Sequence, residues 1–143
     1  MASGVYNRGA KIITDGTVDW DGATTAGVLL VTSSYTPNKD HNVVTDLTNE
    51  LSGSGYVRKT SASRTLTEND TLDRVEYDLA DITWNALGAA AGTPKYAIIY
   101  YEGASTDGTR ELIAFIDLGS APTPDGSNYK VSWDAAGAFQ LNT

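Results

Sequence analysis

The chain has 143 residues, with 10 Lys and Arg against 18 Asp and Glu, a formal net charge of −8 at pH 7, one His and no Cys. That length suits one domain with a core of its own. Disulfides, thiolate zinc sites, iron–sulfur clusters and cysteine nucleophiles are excluded, His41 alone cannot supply a two-histidine metal motif, and the acidic balance argues against a nucleic-acid partner.

Taken in chain order, residues 1–9 lack the apolar stretch of a secretory signal, so synthesis in the cytoplasm is expected. This polar end, which contains Tyr6 and Arg8, reads as an irregular segment that orders against a partner. Asp19-Trp20-Asp21-Gly22 opens like a calcium loop, but Leu30 stands where an EF-hand needs its bidentate Glu, so that motif is excluded. Residues 27–32 (GVLLVT) form the first clear strand, a continuous apolar run of the kind buried on both faces. Between 38 and 51, Val43, Val44, Leu47 and Leu51 fall at helical spacing, which predicts a short helix capped by Asp40 and ended by Gly53 and Gly55.

Residues 56–67 and 74–79 predict a hairpin across the polar link 68–71, with Val75, Tyr77 and Leu79 facing inward and Arg74, Glu76 and Asp78 facing solvent. Residues 95–101 and 111–118 are apolar on both faces and predict a central hairpin around the polar loop 102–110. Tyr129, Val131 and Trp133 alternate into the core, 134–137 turns, and Phe139 and Leu141 share the buried face of a last strand. The whole reads as all-β: an antiparallel β-sandwich or jelly-roll-like single domain spanning 1–143, with one short helix. No apolar run approaches the roughly 18 residues of a membrane span, so no membrane partner is expected.

Six of the acids, Glu68, Asp70, Asp73, Glu76, Asp78 and Asp81, fall within fourteen residues and read as a solvated acidic face rather than a catalytic pair. His41 has no visible partner set for a nucleophile, Gly53-Ser54-Gly55 precedes a strand and so is no hydrolase elbow, and no phosphate-binding glycine motif is present. The expectation is a protein that is not an enzyme and has no cofactor and no metal. What remains is partner binding. Trp20 and Trp84 are candidates for exposure, and Arg58, Lys59 and Arg64 form a basic cluster able to dock an acidic surface. With Tyr6 and Arg8 they complete the candidate partner-binding set.

Several blocks, GVYNRGAK (4–11), VLLVTSSYTPNKDH (28–41), LSGSGYVRK (51–59), DRVEYDLADITWNALGAAAGTPKYAIIYYEG (73–103) and LIAFIDLG (112–119), together resemble a family of small proteins encoded by tailed bacteriophages and prophages. The resemblance covers nearly the whole chain and contains no catalytic motif. It implies a virion structural component, first of all a capsid decoration or cement protein on the outer capsid surface. The partner it implies is the major capsid protein, and symmetric association as a homo-oligomer, dimer or trimer, goes with that place. A tail- or head-fibre-associated adhesion or carbohydrate-binding module is the alternative. The net charge favours a place outside a shell rather than against packaged DNA.

Overall fold

The computed structural model describes residues 2–23, 25–61, 63–103 and 106–143. In chain order its elements are β1 (Gly4–Val5), α1 (Asn7–Thr14), β2 (Ala26–Thr32), β3 (Lys59–Ser61), β4 (Arg64–Asn69), β5 (Arg74–Leu79), β6 (Ile82–Trp84), β7 (Pro94–Tyr101), β8 (Leu112–Asp117), β9 (Tyr129–Val131) and β10 (Phe139–Asn142). Three antiparallel sheets result: a five-stranded one in the order β1-β8-β7-β2-β3, a three-stranded one in the order β10-β5-β4, and the β6-β9 pair. The chain is thus all-β with one short helix.

The five-stranded sheet is central because its strands are apolar on both faces, and each face meets its own core. Val28 and Leu30 of β2, Ile99 of β7 and Ile113 of β8 face one cluster, which the two smaller sheets close with Tyr77, Leu79, Trp84, Val131 and Phe139. Leu29 and Val31, with Ile98, Tyr100, Leu112 and Phe115, face a second cluster closed by Tyr6, Tyr35 and Val44. The hairpin β7–β8 forms where predicted, with Ile98 opposite Phe115, whereas the predicted strand 56–67 is divided: Lys59–Ser61 pairs with β2 in the central sheet, and Arg64–Asn69, which takes in two residues of the expected link, pairs with β5, Arg64 opposite Leu79.

The helix lies elsewhere than predicted. Within 38–51 only Val44–Asp46 makes a 3-10 turn, and Leu47 already has extended backbone. Val43 bridges to Glu111 and Glu50 to Val31, so the backbone bonds go sideways to the central sheet instead of along a helix. Asp46 accepts the main-chain N–H of Asn42 (2.7 Å) and Val43 (3.1 Å), which fixes a turn where a helix would continue. Asp40, cast as the cap, instead accepts from Asn7 Nδ2 at 2.8 Å. The true helix, α1, begins inside the segment 1–9 that was read as irregular, and β1 in the same segment pairs with β8. That end is ordered against the chain's own sheet.

α1 packs so closely on β8 that only glycine fits at position 9: a Cβ there would lie 2.1 Å from the main-chain oxygen of Ile113. Alanine is the better helix former by up to about 1 kcal/mol. The backbone contact decides the sign, so Gly9→Ala is expected to lower stability by about 1–3 kcal/mol, read as a fall in the urea midpoint. A midpoint unchanged or raised would mean that α1 shifts freely on the sheet.

Candidate interaction surface

The three-stranded sheet shares no ladder with the other two, so side chains set its position. The turn at Asp19–Gly22, closed by the Gly22 N–H on the Asp19 carbonyl at 3.2 Å, turns Trp20 inward until 2% of it is exposed. Its indole N–H is shared between the carbonyls of Thr65 on β4 (3.0 Å) and Asp78 on β5 (2.9 Å). Its ring meets Tyr77 and Phe139 edge-on, at 5.8 and 5.1 Å, and those two rings stack at 4.7 Å. Arg64 of β4 closes the arrangement by donating to the carbonyls of Trp20 (2.8 Å), Ser61 and Gly22 (3.2 Å).

Pinned at that end, the sheet overhangs at the other. Strand register aligns Leu66 with Tyr77 and Phe139, and Glu68 with Val75 and Leu141, so these side chains share one face. Toward the hairpin tip the core stops but the apolar face continues: Leu66 is 41% and Leu141 52% exposed, and Leu72 in the turn beyond the paired residues is 54% exposed. Leu141, expected to be buried with Phe139, therefore faces solvent. Apolar side chains exposed together in this way mark contact surfaces more often than chance.

Beside the overhang runs a groove of about 590 Å³, walled by β1 and α1 on one side and by Gly137–Asn142 on the other, with Ile13, Ile116, Tyr77 and Phe139 among its lining. Both walls are strand edges. The Thr143 N–H bonds the Asp73 carbonyl, so residues 139 and 141 bond toward β5 while Gln140 and Asn142 direct their main-chain N–H and C=O outward. By the same alternation the Tyr6 N–H bonds Ile113, and Val5 directs its main-chain groups away from β8. A smaller hollow of about 430 Å³ lies at the hairpin tip among Leu66, Glu68, Asp70, Asp73 and Thr143.

The residues singled out in the sequence do not come together as a surface. Tyr6 and Trp84 are wholly buried, and Trp20 nearly so, because each finds a polar partner inside. The Tyr6 hydroxyl bonds that of Tyr35 (3.0 Å), which bonds His41 Nδ1 (2.9 Å), and the Trp84 indole donates to the Val57 carbonyl (2.6 Å). Burial, then the bond to Tyr35, raises the Tyr6 phenol above its ordinary range. Arg8 pairs with Glu111 at 3.1 Å, Arg64 is spent on carbonyls, and Lys59 is half-buried in β3 opposite Val28. The acidic run is also divided. Glu76 is held by Asn69 (2.9 Å) and Arg74 (2.8 Å), Asp81 by Lys130 (2.8 Å), and one oxygen of Asp78 is buried without a hydrogen-bond partner among the described residues. Leu66, Leu72, Leu141 and the β10 edge were not singled out. Their signal was the alternation itself, which gives a side chain's face but not where the core beneath it ends.

Arg58 anchors a half-buried ionic chain. It bonds both oxygens of Glu50 (2.7 Å each) and both of Asp107 (2.7 and 3.0 Å), and Arg110 links Asp107 (3.0 Å) to Glu102 (2.8 Å). The cluster thus ties the loop after β7 to the turn before β3. Among the described residues no group of His, Asp and Glu is arranged to hold a metal ion, and no helix is long and apolar enough to cross a membrane. Comparison with protein-family models, curated proteins and solved structures finds no match for this chain.

The hydrogen bonds of Arg58, and then of Arg110, hold the Asp107 carboxyl below the usual carboxylate range. Its folded pKa therefore lies under its unfolded one. The stability this contributes is present above the unfolded pKa and is lost as pH falls through the folded one. Arg58→Met is expected to cost about 1–3 kcal/mol at neutral pH, with a shallower acid limb in a plot of melting temperature against pH. Parallel acid limbs for variant and parent would refute the coupling.

Proposed function

We propose that this chain is a structural, partner-binding subunit of a tailed-bacteriophage particle, a decoration or cement protein seated on the outer face of the capsid. The phage assignment rests on the sequence blocks given above. The observation that supports a docking role is the overhanging sheet, whose apolar face runs from the buried Phe139 to the exposed Leu66 and Leu141 beside an open strand edge. A cement protein needs such a surface and no bond chemistry. Each copy covers the joint between neighbouring shell subunits, and many modest contacts act together against pressure from packaged DNA. The major capsid protein is the partner, and a dimer or trimer at a capsid axis supplies the multiplicity. A net charge of −8 keeps a high-copy component soluble before assembly and suits the outside of the shell.

The adhesion alternative placed Trp20 and Trp84 as sugar-stacking platforms, and both lie in the core. The docking reading does not rest on the residues singled out in the sequence either; it rests on the exposed Leu66 and Leu141 beside the β10 edge.

Particles assembled without the protein should lose resistance to heat and to chelator, and adding the purified chain back should restore both. Leu141→Asp, an exposed change outside the core, should leave the chain's melting temperature within a few degrees while reducing its retention on particles about tenfold or more. Particles equally robust with and without the chain would overturn the cement role, and full retention of the Asp variant would move the contact elsewhere.

A further inference from the structure

The groove between β1 and β10 combines three features: an apolar floor, a strand edge on each side, and an asymmetric rim. On the β10 wall Gln140 and Asn142 present main-chain donors and acceptors, and on the β1 wall Val5 does the same. Neighbouring strands lie about 4.8 Å apart, so a single extended chain is the element that could pair with an edge on either wall. Its volume of about 590 Å³ is that of a pocket for a short segment rather than for a domain face.

The rim gives the occupant a charge. Asp134 lines the groove on one side and Lys39 lies near the start of α1 on the other, while Glu68, Asp70 and Asp73 gather without a lysine where β10 ends at the hairpin tip, so the acidic end is the tip. Arg74, the cation beside them, is already held by Glu76 at 2.8 Å. An arm leaving past Leu141 therefore meets carboxylates that its own Lys or Arg would satisfy.

We propose that this groove takes an extended apolar segment with basic residues at one end, donated by a partner protein, as an added strand between β1 and β10. Main-chain bonds to Gln140, Asn142 and Val5 supply the affinity, and alternate side chains on the apolar floor supply the choice of segment. The proposal uses the same surface as the docking role above. Its test, however, is run on the isolated chain and fails or succeeds independently of any particle.

The test follows backbone amide resonances of the isotopically labelled full chain while a blocked peptide of alternating Val and Thr, ending in two Lys, is added up to millimolar concentration. Saturable shifts at Val5, Gln140 and Asn142 are expected. The same peptide N-methylated at alternate amides, or ending in Glu instead of Lys, should bind about tenfold or more weakly. Asn142→Pro removes an outward N–H and leaves the ladder to β5 intact, so the chain should fold as before yet lose the shifts. The proposal is overturned by an absence of shifts at millimolar peptide, by shifts confined to other strands such as β4, or by equal binding of the N-methylated peptide. Undiminished binding to folded Asn142→Pro would overturn it equally.

Discussion

Where the three-stranded sheet sits depends on Trp20. No backbone ladder joins β4, β5 and β10 to the rest of the fold, so their orientation is set by what one turn inserts beneath them. A buried indole removes on the order of 150–250 Å² from water, and its N–H would be a liability there without an acceptor. Two carbonyls, on adjacent strands, take that one proton donor, and the rings of Tyr77 and Phe139 receive its edge. Arg64 then binds the carbonyl of Trp20 itself, so the strand holds the turn that holds the strand. The acidic residues on either side of Trp20, which in sequence open like a calcium loop, are exposed, and the turn between them is closed through the main chain, the Gly22 N–H on the Asp19 carbonyl.

The strands were legible because their periodicity is simple. A run such as 28–31 is apolar at every position since both faces of β2 are covered, and 74–79 alternates since one face of β5 is. The helix was misplaced for a related reason. The spacing of Val43, Val44, Leu47 and Leu51 looks helical, but Val44 and Leu47 belong to the second core while Leu51 belongs to the first. Periodicity assumes one face and one core, and here two were superposed. α1 escaped notice because Gly9 and the β-branched Ile12, Ile13 and Thr14 are poor helix formers, and the contact that selects Gly9, a β8 main-chain oxygen, lies over a hundred residues away.

Charge behaved in the same way. Arg58, Lys59 and Arg64 look like a basic cluster because no acid lies near them in sequence, yet the acids that engage Arg58 come from β2's flank and from the loop after β7. Arg8, Lys11, Arg74, Lys95, Arg110 and Lys130 likewise have acidic partners. Most of the positive charge is therefore internal cross-linking, and the face the molecule shows is more uniformly negative than its composition suggests. Exposed pairs of this kind add little stability singly, whereas the linked chain through Arg58 is partly shielded from water and stands to matter more.

That negative face also bears on the open edge of β10. An exposed strand edge invites pairing with a second copy, and proteins restrain this with short edges, polar outward residues and charge. β10 has all three: four residues, Gln140 and Asn142 on the outward positions, and Glu68, Asp70 and Asp73 at its end. Two copies approaching edge to edge would each carry a net charge of −8 into the contact. The same carboxylates attract a segment that carries Lys or Arg. Charge that only excluded nucleic acid when read from composition thus separates, at this edge, an unwanted partner from a suitable one.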